Sequence, residues 1–266
     1  MIEWWQAALL ALVQGLTEFL PISSSAHLLL PSMLLGWPDQ GLAFDVAVHV
    51  GTLAAVILYF WRDLWTLTRG GWDALRSRQT NEHSSEILYL AVATVPAVIV
   101  GFALNDVMDS LRSLPVIATT TIVFALLLAY ADRRVTASPA ENVGSWRVAL
   151  MIGCAQAIAP IPGTSRSGIT ITAGLLLGLS RHAAARFSFL LSIPIILGAA
   201  LLKVSDLLSA DTTVDLPLVL LGTAIAAISA YTCIALFLRL IEAVGMLPFV
   251  IYRLLLGAVL CLLWWT

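Results

Sequence analysis

The chain has 266 residues, 60% of them hydrophobic and only 11% charged, with a mean hydropathy of +0.94. Soluble domains carry roughly a quarter charged residues, so this composition excludes one and indicates an integral membrane protein. A net charge of −2 leaves no basic footprint for nucleic acid. Cys154, Cys233 and Cys261 are an odd set scattered through apolar segments, which argues against a disulfide framework or a cysteine metal site.

The apolar runs have helical length and lack the alternation of barrel strands. Residues 4–20 and 27–35 are two apolar pieces separated by a Pro/Ser break. Neither reaches the ~20 residues of a comfortable span, so the pattern predicts a re-entrant hairpin with a polar tip. Gln14 and Glu18 share a helix face, Pro21 ends the first limb at about Leu20, and Ser23, Ser24 and Ser25 suit the N-cap of a second limb carrying His27. Met1-Ile2-Glu3-Trp4-Trp5 lacks the basic opening of a signal peptide.

Residues 43–61 form the first full span, with Asp45 and His49 on one face; each of these two reads more readily as a packing hydrogen-bonder than as a site residue. Residues 62–86 read as a polar loop with Arg62, Arg69, Arg76 and Arg78, and His83 there as solvated. Spans follow at 87–104, interrupted by Pro96, and at 115–131, joined by a connection carrying Asp106, Asp109 and Arg112. A loop at 132–147 holds Arg133, Arg134 and Arg147.

The opening pattern then returns. Residues 148–161 and 169–179 flank the break Pro160-Ile161-Pro162-Gly163-Thr164-Ser165-Arg166-Ser167-Gly168, a second predicted hairpin with an arginine at its tip. Spans at 185–202, 216–237 and 248–265 complete the chain, and His182 lies in the loop before them. Trp4, Ala7, Gln14, Ser23, Ser25 and Leu34-Leu35-Gly36 meet Trp146, Ala149, Gln156, Ser165, Ser167 and Leu176-Leu177-Gly178 at one constant offset. This predicts a first repeat over 1–131, a cytoplasmic connector over 132–147 and a second repeat over 148–266, all in one membrane domain.

Charge supplies the topology. If the hairpins do not cross, Arg62, Arg69, Arg76, Arg78, Arg133, Arg134, Arg147, Arg181, Arg186 and Arg239 share one side. The opposite loops hold Arg112 and Lys203 among Asp106, Asp109, Asp206, Asp211 and Asp215. The arginine-rich side is then cytoplasmic, both termini are outside, and the hairpins enter from opposite faces. The expected fold is all-α: six transmembrane helices, two re-entrant helix hairpins and an inverted-topology repeat whose broken elements meet near the midplane.

The second tip reads as an anion site. Gly163 and Gly168 allow close backbone approach, Thr164, Ser165 and Ser167 offer hydroxyls, and Arg166 offers a fork matched to phosphate. At the first tip Glu18 can hold a divalent cation or act as a base, Gln14 can add a carbonyl ligand, Ser24 can attack phosphorus and His27 can carry a proton. Together the set suits phosphoryl transfer. A secondary transporter or lipid flippase is the competing reading, since inverted repeats with broken helices also build transporters.

Gln14-Gly15-Leu16-Thr17-Glu18-Phe19-Leu20-Pro21-Ile22-Ser23-Ser24-Ser25-Ala26-His27 and Pro162-Gly163-Thr164-Ser165-Arg166-Ser167-Gly168-Ile169-Thr170 resemble the two long motifs of the undecaprenyl-diphosphate phosphatase (bacitracin-resistance) family. Further likeness runs through Phe187–Pro194 and Pro248–Arg253. The resemblance implies an inner-membrane enzyme, open to the outer side, that removes the terminal phosphate of undecaprenyl diphosphate. The product is the monophosphate carrier reused in cell-wall synthesis, with bacitracin resistance as a consequence. It also implies dependence on a divalent cation, Mg²⁺ or Ca²⁺. On this resemblance Glu18, Ser24, His27 and Arg166 are catalytic, with Ser23, Gly163, Thr164, Ser165, Arg166, Ser167 and Gly168 around the phosphate. Glu18 and Gln14 would face the metal; Gln14 replaces the acidic residue of many members, and Ala26 a glycine. A prenyl diphosphate lipid is the implied partner within the membrane, and the sequence leaves a homo-oligomer open.

Overall fold

The computed structural model describes residues 2–103, 110–209 and 215–265. Asp106, Asp109 and Asp211, assigned above to the acidic connections, lie outside the described residues, as does the side chain of Asp206.

The first break divides α1 (Trp4–Thr17) from α2 (Ser24–Leu35). Neither limb approaches the length of a span: α1 has 14 residues, about 21 Å of rise. The helix stops at Thr17, ahead of Pro21, and Glu18 to Ser23 form the turn. Six helices are long and apolar enough to cross a membrane: α3 (Leu42–Tyr59), α5 (Glu82–Ala103), α6 (Leu114–Asp132), α9 (Arg181–Ser209), α10 (Leu216–Val244) and α11 (Leu247–Trp265). The second break divides α7 (Trp146–Gln156) from α8 (Arg166–Leu176). Proline sits in the first turn of α6 and of α10, where its missing N–H costs nothing.

Two expectations change. Residues 62–86 are not a loop: α4 (Trp61–Ser77) is a helix of 17 residues, and α5 begins at Glu82, so His83 lies on a helix and packs against Gly70. Its polarity concealed an amphipathic period, with Leu64, Leu67 and Gly71 on one face. The loop expected from 203 is also shorter, because α9 continues to Ser209.

Packing is exchanged between the halves. α1 lies on α10 and α7 on α5; α3 packs on α10 and α9 on α5, while α6 pairs with α11. These pairings are compatible with a two-fold relation between the halves, while α8 packs on α9 and α6 with no equal counterpart for α2. Close approach depends on small residues: a Cβ on Gly15 would come within 2.7 Å of Ala226 O on α10, and one on Gly153 within 2.5 Å of Ala93 O on α5.

The arginine-bearing connections converge at one end. Arg181 Nε donates to Asp132 Oδ1 at 2.6 Å, and Arg186 ties Asp63 of α4 to Glu86 of α5. His182, expected in a loop, lies instead in the first turn of α9; its N donates to Glu242 Oε1 at 2.8 Å, and its side chain is exposed as expected. Outward-facing Leu88, Ile99, Phe102, Ile228 and Leu262 give the bundle an apolar jacket suited to lipid.

Candidate active site

Both breaks turn inward and meet. In each, the residue before the second helix is a serine in the left-handed region: Ser23 at φ 73 and Ser165 at φ 70. Non-glycine residues there are strained, and such strain gathers at functional sites. The local bonding also repeats, with Ser23 and Ser25 hydroxyls 3.3 Å apart and Ser165 and Ser167 hydroxyls 3.2 Å apart.

Glu18 is the centre of the junction and is buried. Its Oε1 accepts from Arg166 Nη2 at 2.9 Å; its Oε2 accepts from Ser24 Oγ at 2.6 Å and Gln14 Nε2 at 2.9 Å. Arg166 comes from the other break, 148 residues away. Its Nη1 donates to Ser188 O at 3.2 Å, and its guanidinium lies 5.9 Å from the Phe19 ring. Phe19 stands edge-on to Phe189 at 5.2 Å, closing the apolar side of the site. A serine hydroxyl aimed at a carboxylate is set for proton removal, and the neighbouring guanidinium is set for an anion.

His27 donates through Nδ1 to Ser23 O at 2.7 Å, since a carbonyl can only accept. Its Nε2 meets Tyr252 Oη at 2.5 Å, so neutral His27 accepts the phenol proton. His49 is built alike, with Nδ1 donating to Asp45 O at 2.7 Å and Nε2 lying 3.9 Å from Glu18 Oε2. The sequence undervalued His49, which reaches the site from α3. Asp45 accepts from Gln40 Nε2 at 2.9 Å, and its backbone oxygen orients the His49 ring.

The second tip is largely interior. Ser165 Oγ accepts from Gly168 N at 3.1 Å as a helix cap, and Ser167 Oγ donates to Leu20 O at 2.7 Å, stitching one break to the other. Thr164, Gly163 and Gly168 are buried. Ser24, Ser25, His27, His49 and the edge of Arg166 form the accessible rim.

Arg253 of α11 was quoted in the sequence without a role. It is fully buried, with its guanidinium among backbone carbonyls: Nη1 donates to Pro21 O at 3.1 Å, Nη2 to Gly163 O at 2.9 Å and Thr164 O at 3.2 Å, and Nε to Thr121 O at 3.2 Å. One side chain thus holds both breaks. The only sequence signal was an arginine inside an apolar run, a placement that is expensive without partners.

Among the described residues no group of three His, Cys, Asp or Glu side chains could hold a metal. The oxygen donors of Glu18 and Gln14 fit a hard cation that also takes oxygens from a ligand: Gln14 Oε1 is buried with no hydrogen-bond partner among the described residues.

The family model described as "Bacitracin resistance protein BacA" matches residues 7–259. A protein named "Undecaprenyl-diphosphatase", from Alcanivorax borkumensis, is 55% identical over 269 residues, covering 99% of each chain.

Proposed function

The chain belongs to the bacitracin resistance protein BacA family, and on that premise we propose that it is a membrane undecaprenyl-diphosphatase whose active site is the junction of the two breaks. It hydrolyses the C₅₅ diphosphate to the monophosphate carrier and inorganic phosphate. A transporter or flippase is not favoured, because the full-length similarity is to a named diphosphatase.

The observation that carries the mechanism is the Ser24–Glu18 hydrogen bond of 2.6 Å. Glu18 takes the Ser24 proton as Oγ attacks the terminal phosphorus. The bond from that phosphorus to the bridging oxygen breaks, and undecaprenyl phosphate leaves with the electron pair. That leaving group ionises a second time near pH ~6, so it needs little acid assistance. Water then attacks the phosphoserine, returning Ser24 Oγ and releasing phosphate, with His27 carrying the proton. Arg166 binds the equatorial oxygens through its outer edge and is held in plane by Glu18 and Ser188 O. Ser25 of the rim adds a hydroxyl, while Ser23, Gly163, Thr164, Ser165, Ser167 and Gly168 shape the cradle from behind. Glu18 and Gln14 are the residues that would hold Mg²⁺ or Ca²⁺, which when bound would neutralise diphosphate charge.

The arginine-rich end faces the cytoplasm under the positive-inside rule. Asp45 and His49 lie in the first two turns of α3, at the other end, so the site opens outward and the halves are inverted repeats.

The test is phosphate release from a prenyl diphosphate by protein in detergent, with EDTA or added Mg²⁺. Glu18→Gln and Ser24→Ala should each lower kcat by about 10²–10⁴-fold. A quench with ³²P-labelled terminal phosphate should label Ser24 in the wild type and leave Ser24→Ala unlabelled. Full turnover by Ser24→Ala would overturn serine attack in favour of water; no release by folded wild type would overturn the activity.

A further inference from the structure

α4 has three distinct faces. At 3.6 residues per turn, Leu64, Leu67, Gly70, Gly71 and Ala74 fall on one side, which packs against the start of α5. Gly70 lies against His83, and its carbonyl accepts from Asn81 Nδ2 at 2.8 Å. A second side carries Trp61, Trp65, Trp72 and Leu75, which are 56, 54, 67 and 77% exposed. Arg62, Arg69 and Arg76 form a third line along the edge of that apolar stripe, two turns apart.

The apolar stripe overhangs a groove of about 1050 Å³ between α4 and α5, lined mainly by Trp65, Trp72, Leu75, Ile87 and Leu88, with Arg69 and Asp73 as its charged residues. Ile87 and Leu88 belong to a membrane span, so the groove runs from the end of the bundle into hydrocarbon. Arg69 stands at its mouth with the guanidinium 4.6 Å from the Trp65 ring, and Arg62 lies 5.3 Å from the Trp61 ring. Stacking leaves the edge donors of both guanidiniums turned outward. Of the acidic residues on α4, Asp63 is engaged by Arg186, leaving Asp73 beside the arginine line.

We propose that α4 lies in the membrane plane and that this groove holds an acyl chain of an anionic phospholipid, its phosphate on Arg69 and within the positive field of Arg62 and Arg76. Three observations favour that occupant. The walls are mostly apolar and aromatic, the groove is continuous with the lipid-facing side of a span, and three arginines outnumber the one carboxylate, Asp73, at its edge. A zwitterionic lipid offers the same phosphate but adds an ammonium that the arginine line repels. The site lies at the end of the bundle away from Glu18, so its lipid is distinct from the substrate.

Native mass spectrometry of the intact protein, with phosphatidylglycerol or phosphatidylcholine added, tests this. Wild type should retain phosphatidylglycerol in preference, and R62Q/R69Q/R76Q should lose roughly fivefold in retention per arginine while keeping phosphatase activity in detergent. The single variant Arg69→Gln keeps the test open if the triple variant fails to fold. Equal retention of the two lipids, or unchanged retention by a folded variant, would overturn the site. Undecaprenyl phosphate held in place of phosphatidylglycerol would overturn the occupant.

Discussion

The proposed mechanism gives each polar side chain at the junction a separable job. The Tyr252 hydroxyl is the one group that engages His27 Nε2, so Tyr252→Phe should leave fold and KM unchanged while lowering kcat about tenfold, read by steady-state phosphate release. Arg253 acts through backbone, not substrate. Arg253→Met strands the carbonyls of Pro21, Thr121, Gly163 and Thr164, and should destabilise the protein by on the order of 3 kcal/mol or more, seen as a lowered thermal midpoint in detergent. Glu18, Ser24, His27 and Arg166 were legible in the sequence as site candidates, because ionisable and hydroxyl side chains clustered at a helix break are costly in hydrocarbon, and the structure brings Glu18, Ser24 and Arg166 into contact. His49 and Arg253 were not: His49 has a local partner only in Asp45, Arg253 stands alone in its span, and nothing local in the sequence ties either to the breaks. The approach of His49 to Glu18, and the backbone oxygens around Arg253, exist only once the chain has folded.

At the scale of elements, the breaks were legible from proline and serine, and the six spans from apolar length. What escaped was α4, where tryptophan, arginine and aspartate interleave so closely that polarity masks the helical period. The conformation inside the breaks escaped too, because serine gives no sign of a positive φ. Glycine does at Gly163, which sits at φ +88 with a would-be Cβ 2.2 Å from Thr120 Oγ1 and 2.7 Å from Ile117 O. Gly163→Ala therefore combines backbone strain with a clash against α6, and should cost about 1–3 kcal/mol in thermal stability and misplace Arg166. The same variant should lower kcat/KM more than Ser25→Ala, whose hydroxyl stands on the open rim.

For the whole molecule, the contacts among Arg181, Asp132, Arg186, Asp63 and Glu86 gather the arginine-rich connections at one end, and α2 and α3 join at the other. In a chain whose cysteines are replaced, Thr80→Cys should react with an impermeant maleimide only from the cytoplasmic side, and Asp39→Cys only from outside. The reverse pattern would invert the orientation proposed above. The clamp formed by Arg253 also sets a timetable. Its Pro21 partner lies 232 residues earlier in the chain, an interval of roughly ten to fifty seconds at ordinary rates of synthesis. If the proposed mechanism holds, a nascent chain carries Glu18, Ser24 and His27 into the bilayer before the clamp exists, and phosphate release from a chain truncated before α11 should be absent.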